Sequence, residues 1–104
     1  MNSYVTLVGR IVNELTIDSD TKNCEITIAI SREFKNEDGI YETDYIPVTL
    51  KGNIAKNVVE YCKKGDLIAI KGRIETSIYE KEDGTKIRNI EIIANKATFL
   101  SSKN

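Results

Sequence analysis

The stretch NIAKNVVEYCKKG, residues 53–65, decides the fold because the spacing of apolar residues changes here from two to three and four. Its apolar residues share one side of a helical wheel: Ile54, Ala55, Val58, Val59 and Cys62. This spacing predicts a short amphipathic helix, with Asn53 as a candidate N-cap. The basic pair and glycine at 63–65 are typical of a helix end.

Alternating apolar and polar residues, the pattern of half-buried strands, extend on both sides of this helix. We predict strands from Tyr4 toward Leu15 and Ile17, at 25–31, at 41–50, at 66–78, and at 87–93 with an extension toward Leu100. The Asp-Gly pairs at 38–39 and 83–84 predict hairpin turns. Gly9 suggests a sharp bend, and Pro47 predicts a free edge or a bulge in the third strand.

The order is therefore three strands, one helix and two strands. A lone helix between the third and fourth strands is what an OB barrel needs, because it closes one end of the sheet. We predict an all-β fold with one short helix, a five-stranded OB-type barrel that forms a single domain over residues 1–104. A β-sandwich with an incidental helix is the alternative that the pattern leaves open.

Composition narrows the function. The chain is 40% hydrophobic and 30% charged, which is typical of a folded globular domain. It contains no apolar run near the roughly 20 residues of a membrane span and no signal-peptide pattern at its start, so we expect a cytoplasmic location. It has no histidine, and its two cysteines, Cys24 and Cys62, lie outside any metal-binding motif. We therefore expect no metal, no cofactor and no catalytic activity.

The net charge of −1 hides an uneven distribution of charge along the chain. Residues 1–50 carry 4 basic and 9 acidic side chains, whereas residues 51–104 carry 11 basic and 7 acidic ones. A phosphate backbone responds to the local field and not to the net charge. The composition therefore permits a nucleic-acid partner without requiring one.

Several segments carry a resemblance to a known family, in this order: Val5-x-Leu7-x-Gly9-Arg10-Ile11, Ile28-Ala29-Ile30-Ser31-Arg32-x-Phe34, Thr43-Asp44-Tyr45, Gly52-Asn53-Ile54-Ala55, Tyr61-Cys62-Lys63-Lys64-Gly65-Asp66 and Gly72-Arg73-Ile74-x-Thr76. Together they resemble the bacterial single-stranded DNA-binding protein family over nearly the whole chain. The resemblance implies an OB barrel that binds single-stranded DNA without sequence specificity, in replication, recombination or repair.

The resemblance also implies a set of binding residues. Bases stack on aromatic rings of the barrel surface in this family, and the matching positions here are Phe34, Tyr45 and Tyr79. A further aromatic position of the family falls on Lys51, which we expect to contact a phosphate instead. The basic residues nearest the rings are the candidates for phosphate contacts: Arg10, Arg32, Lys35, Lys51, Lys71, Arg73 and Arg88. From the residues alone, the rings are more simply interpreted as cross-strand packing in a sheet, because β-strands favour aromatic residues in any case.

Assembly and partners follow from the same resemblance. We expect a homo-oligomer, a tetramer rather than a dimer, encoded by a bacterium, a phage or a mobile element. Family members usually end in an acidic tail that recruits replication proteins, whereas this chain ends in SSKN at 101–104, so we expect no recruitment through such a tail. Two alternatives stay open: an OB assembly module similar to the primosomal OB protein, and an RNA-binding OB domain.

Overall fold

The alternating segments form five strands in the computed structural model, which describes residues 1–101. The strands are β1 (Val5–Ile11), β2 (Cys24–Lys35), β3 (Tyr41–Leu50), β4 (Leu67–Glu80) and β5 (Lys86–Ser101), and the helix α1 (Gly52–Tyr61) connects β3 to β4. This confirms the predicted order of strands and helix. Residues 102–104, on which the expectation about a tail depends, lie outside the described residues.

The strands close into a barrel in the order β1-β2-β3-β5-β4. Neighbouring strands are antiparallel except β3 and β5, which are parallel where Thr49 pairs with Ile93. A closed five-stranded barrel with a helix between β3 and β4 is the predicted OB architecture and excludes the sandwich.

The core lies inside the barrel and is built from alternate residues of the strands. Its fully buried side chains include Ile11, Ile26, Ile28, Val48, Leu50, Ile68 and Ile70. The helix adds Ala55 and Val58, which are also fully buried and belong to the same cluster. Each buried branched side chain contributes about 1.5–3 kcal/mol relative to an exposed one, so the apolar face of α1 fixes the helix against the barrel.

Two glycines allow strands to approach closely. A Cβ at Gly9 would overlap the carbonyl oxygen of Ala29 on β2, and a Cβ at Gly72 would overlap the carbonyl oxygen of Ile93 on β5. Both overlaps are with backbone atoms, which cannot move aside as a flexible side chain can. Gly9 and Gly72 are therefore required for the barrel to close.

β1 is shorter than the predicted strand, which was expected to continue toward Leu15 and Ile17. It ends at Ile11 because the side chain of Asn13 replaces backbone pairing at this point. Its Oδ1 accepts a hydrogen bond from the Thr27 N–H at 2.8 Å, and its Nδ2 donates to the Glu25 carbonyl at 3.0 Å. A side chain that bonds the neighbouring backbone in this way competes with the sheet ladder.

The helix starts earlier than predicted. Lys51 is the N-cap residue, no side chain caps the helix, and Asn53 lies inside it, so the prediction of Asn53 as the N-cap was wrong. Gly52 follows Lys51 with a φ of 57°, a left-handed conformation that glycine adopts without strain. The sharp entry into α1 therefore comes from the backbone of a glycine and not from a capping side chain.

Pro47 lies at an unpaired edge. The β2–β3 register runs without a shift from Cys24–Leu50 to Ser31–Thr43, and Pro47 lies opposite Thr27 within it. On the other side of β3, the pairs within residues 1–101 include only Thr49 with Ile93. Of the two predicted explanations for Pro47, the structure supports the free edge.

Two hairpins extend beyond the core. We call residues 31–44 the β2–β3 arm and residues 74–91 the β4–β5 arm, and neither contains a buried residue. None of the helices within the described part of the chain has the length and apolar character to cross a membrane. The barrel is thus the packed part of the molecule, and the arms project from it into solvent.

Candidate nucleic-acid interface

Tyr45 lies in a row of side chains on the outer face of the barrel. Residues that pair across antiparallel strands point to the same face of the sheet. Arg10 pairs with Ala29, and Ala29 pairs on its other side with Tyr45. Only a methyl group therefore separates the Arg10 and Tyr45 positions, and the tyrosine is 65% exposed.

Tyr79 shares this outer face. Thr49 pairs with Ile93, and Ile93 pairs with Arg73, which links β3 through β5 to β4. Side chains alternate along a strand and the β4–β5 register is unshifted from Arg73 to Glu80, so Tyr79 lies on the same face as Arg73. The strand directions place Tyr45 and Tyr79 on the same side of the row formed by Thr49, Ile93 and Arg73. Tyr79 is 58% exposed, so both rings are open to a ligand on one surface.

Phe34 lies on the β2–β3 arm, past an irregularity in the ladder. Pairing stops at Ser31–Thr43 and resumes at Lys35–Tyr41, so the three residues 32–34 stand opposite Glu42 alone. Phe34 is 81% exposed. The ammonium of Lys35 lies 5.6 Å from the centroid of the Tyr41 ring, within the range of a cation–π contact. The arm therefore carries one exposed aromatic ring, Phe34, and a second ring, Tyr41, that contacts a cation.

A charged cluster lies near the middle of the outer face. Arg73 donates from Nε to the Glu75 carboxylate at 2.7 Å and from Nη1 to the Asn95 side chain. The hydrogen bond from Arg73 lowers the pKa of Glu75, and the charges of Arg73 and Lys51 lower it further. Lys51 and Arg73 are therefore close enough to act on the same carboxylate, at the point where β4 leaves the barrel and enters the β4–β5 arm.

Arg32 is held by two carboxylates. Its Nε and Nη2 donate to both oxygens of Asp44 at 3.1 and 2.9 Å, and its Nη1 donates to Glu42 at 2.7 Å. The hydrogen bond from Arg32 lowers the pKa of Asp44, and Asp44 in turn raises the pKa of Arg32. Asp44 pairs with Ile30, on the core side of the ladder and opposite to the face of Tyr45. The structure thus places Arg32 away from the outer face.

The other predicted cations differ in their surroundings. Arg10 donates from Nη1 to the Gly65 carbonyl at 3.0 Å and stays on the outer face. Lys71 is exposed on the same outer face as Arg73 and pairs with Lys96, a cation that sequence reasoning missed. The alternation of residues along the fifth strand was the pattern that could have identified Lys96. A bulge between Lys71 and Gly72 interrupts that alternation. Arg88 pairs with Ile78 and so lies on the opposite face of the β4–β5 arm from Tyr79.

The two cysteines lie in surroundings that keep their thiols weakly acidic. Both cysteines are free, and burial raises the pKa of each thiol, so that both stay protonated near neutral pH. No group of three or more potential metal ligands occurs among the described residues. What the surface offers is aromatic rings and cations, which suit binding of a flexible polyanion.

The sequence matches a family of known proteins along almost its whole length. The model of the Single-strand binding protein family matches residues 1–100. The chain is 37% identical over 110 residues to single-stranded DNA-binding protein B of Bacillus subtilis, covering 99% of this chain and 94% of that protein. It is 34% identical over 103 residues to single-stranded DNA-binding protein 1 of Clostridium acetobutylicum, covering 95% and 94%.

Solved structures share the fold. The mitochondrial single-stranded DNA binding protein of S. cerevisiae is similar with a TM-score of 0.77 and 22% identity, and the match covers 99% of both chains. A Plasmodium falciparum SSB in complex with ssDNA is similar with a TM-score of 0.77 and 22% identity, over 97% of this chain and 96% of that one. At this identity the likeness concerns the fold alone.

Proposed function

Because the chain belongs to the single-strand binding protein family, we propose that it binds single-stranded DNA without sequence preference and that this is its main function. The relatives from Bacillus subtilis and Clostridium acetobutylicum are named as single-stranded DNA-binding proteins, and the chain spans 94% of each. Binding, and not catalysis, is the activity of this family. Roles in replication, recombination and repair follow from holding unpaired DNA.

The observation that carries the proposal is the shared outer face of Tyr45 and Tyr79. Both rings are more than half exposed, so neither is buried in the core of the barrel and both can contact a ligand. Every base has a π face, and stacking of a base on an aromatic ring contributes about 1–3 kcal/mol whatever the sequence. We assign Tyr45, Tyr79 and the arm residue Phe34 as the stacking residues.

We propose that the cations around these rings neutralise the phosphates of the bound DNA. On the outer face they are Arg10, Lys51, Lys71 and Arg73, with Lys35 on the β2–β3 arm, whereas Arg88 lies on the opposite face of the β4–β5 arm from Tyr79. Lys51 lies near Glu75 and Arg73. It is therefore well placed to contact a phosphate of a DNA strand that passes between the barrel and the β4–β5 arm. Arg32 differs from these cations, because two carboxylates already hold its guanidinium.

We also propose that residues 1–104 form one domain and that it assembles as a homo-oligomer, a tetramer rather than a dimer. β1 supports this proposal. Val5–Arg10 pair with β4, but on the β2 side only Arg10 and Ile11 have partners within the described chain, which leaves a strand edge free. Tyr4 and Val8 next to that edge are exposed, and free edges favour pairing with another chain. Light scattering that gives the mass of a monomer at micromolar concentration would contradict this proposal.

The test of the function is a titration of fluorescently labelled oligo-dT at low and moderate salt. A duplex of equal length and an oligo-U of equal length serve as competitors. We expect tight binding of oligo-dT that weakens with salt, and no comparable binding of the duplex, because duplex bases are not free to stack. Equal binding of oligo-U would indicate an RNA-binding domain. No binding of oligo-dT at low salt would instead favour the assembly module.

A further inference from the structure

We propose that Arg32 is a positioning residue for single-stranded DNA binding: by joining Asp44 and Glu42 across the β2–β3 arm, it holds Phe34 where a base can stack. The proposal rests on the proposed function, because it concerns the same binding surface. It assigns Arg32 a role other than the phosphate contact expected from the sequence.

The first argument is the gap in the backbone ladder. Three residues of β2 stand opposite Glu42 between the pairs Ser31–Thr43 and Lys35–Tyr41. Such a bulge leaves the extra residues unpaired and bends the strand locally. Phe34 is one of the extra residues and is 81% exposed, so neither the ladder nor the core fixes its ring. Some other contact has to hold this segment in place.

Arg32 supplies that contact. It is the first residue of the gap and bonds two residues of the opposite strand, Asp44 through both carboxylate oxygens and Glu42 through one. The second oxygen of Glu42 accepts from Asn36 Nδ2 at 3.4 Å. Oδ1 of Asn36 in turn accepts from the N–H groups of Asp38 and Ile40, which form the turn of the arm. A chain of hydrogen bonds therefore runs past Phe34 from one side of the gap to the turn.

The second argument is electrostatic. Arg32 and its two carboxylate partners together form a group with a net negative charge. Such a group repels a phosphate at the same place. Asp44 is also on the core side of the ladder, whereas Tyr45 is on the outer face. Arg32 therefore combines geometry that fixes the arm with surroundings that do not attract the DNA backbone.

The group is exposed, which makes the role testable. The side chains of Arg32 and Asp44 are 54% and 44% exposed, and exposed ion pairs contribute little to the stability of a fold. Variants that break the pair should therefore keep the barrel folded and change the arm alone.

The experiment compares oligo-dT affinity for the wild type, Asp44→Asn and Asp38→Asn. Each variant removes one negative charge from the β2–β3 arm, but only Asp44 bonds Arg32. We expect Asp44→Asn to weaken binding at least about fivefold, the smallest effect of one lost stacked base, and Asp38→Asn to change it less than about twofold. If Arg32 contacts a phosphate, freeing it should make Asp44→Asn bind as well as or better than Asp38→Asn, and that result would overturn the proposal.

Two further measurements separate positioning from a general loss of structure. We expect Phe34→Ala to weaken wild-type binding but to add less than about a twofold loss in the Asp44→Asn background, since the ring is already displaced. Arg32→Gln should leave the dependence of log affinity on log salt unchanged, whereas loss of a phosphate contact lowers that slope by about 0.7. Additive losses or a lowered slope would each overturn the inference. If the wild type fails to bind oligo-dT, the proposed function fails, and this inference fails with it.

Discussion

Tyr45 lies directly opposite Ala29 across the β2–β3 ladder, so the smallest side chain that keeps a Cβ stands beside the proposed stacking ring. Replacing Tyr45 with Ala should remove a stacked base. We expect oligo-dT affinity to fall by about 5-fold to 150-fold, the range for 1–3 kcal/mol per base, while the melting temperature changes little. Fluorescence titration and thermal denaturation measure the two quantities.

Tyr61→Ala is the matched control for Tyr45→Ala. Tyr61 is 64% exposed, almost the same as Tyr45, but it lies on α1 and its ring centroid is 6.1 Å from that of Phe99. We expect this variant to lose about 0.5–1.5 kcal/mol of stability from the aromatic pair and no affinity for DNA. Equal loss of affinity in both variants would show that exposure alone, and not position on the outer face, explains the result.

Lys51→Gln tests the phosphate contacts. Lys51 is exposed at the end of β3 and acts on the same carboxylate as Arg73. Removing one contact to a single strand should reduce the slope of log affinity against log salt by about 0.7. Titrations at several salt concentrations measure the slope, and Lys56→Gln on α1 serves as the control with the same charge change. An identical slope for Lys51→Gln and the wild type would remove Lys51 from the interface.

Gly72→Ala tests the closure of the barrel. The added Cβ would overlap the backbone oxygen of Ile93, so a strand has to shift. We expect a loss of at least about 2 kcal/mol and a melting temperature lower by about 10 °C. Gly39→Ala is the comparison, because that position has open space and only a φ of 78° to oppose the substitution. A smaller loss for Gly72→Ala than for Gly39→Ala would contradict the role of close packing.

Stability should fall as the pH is lowered from neutral into the acid range. The folded state lowers the pKa of Asp18, Asp44, Glu75 and Asp83 below their ordinary values, which are 3.8 for aspartate and 4.5 for glutamate. For Asp18 and Asp83 the main causes are hydrogen bonds from backbone N–H groups, and for the other two they are the arginine partners. The unfolded chain therefore binds more protons in acid, so this stabilisation is complete above the unfolded pKa and is lost as the pH falls through the folded one.

Thermal denaturation across the pH range checks this sign. We expect a melting temperature that is nearly constant from about pH 5 to 7 and falls below about pH 4, because the chain has no histidine to titrate between them. Asp18→Asn should flatten the acid side of the curve. A large decrease that begins near pH 6 would show that another group controls the stability.

The strand order and helix could be predicted from the sequence because they depend on local periodicity. Ile26 and Ile28, like Ile68 and Ile70, recur at every second position and are all fully buried. Ile74 continues the same alternation on β4 but is 44% exposed, because the sheet has left the core at that point. Periodicity gives the face of a strand, but not how far the neighbouring strands cover it.

The candidate site was less predictable, because it depends on pairs across strands. Nearness in sequence to the proposed rings made Arg32 a candidate for a phosphate contact, although Asp44 and Glu42 hold its guanidinium. Arg88 is near Tyr79 in sequence, yet the β4–β5 register places them on opposite faces. Such partners follow from register and not from spacing along the chain.

The β4–β5 arm has a consequence for how the protein meets DNA of any sequence. Residues 74–91 include none that is buried, so opening this hairpin costs less free energy than unfolding the barrel. Amide hydrogen exchange should therefore be fast in the arm and slow in the barrel strands. A ligand that contacts the arm also stabilises its closed form, so affinity and local order are linked. Stacking accepts any base, and the β4–β5 arm that carries Tyr79 can adjust to the path of the DNA. The barrel meanwhile keeps a fixed shape.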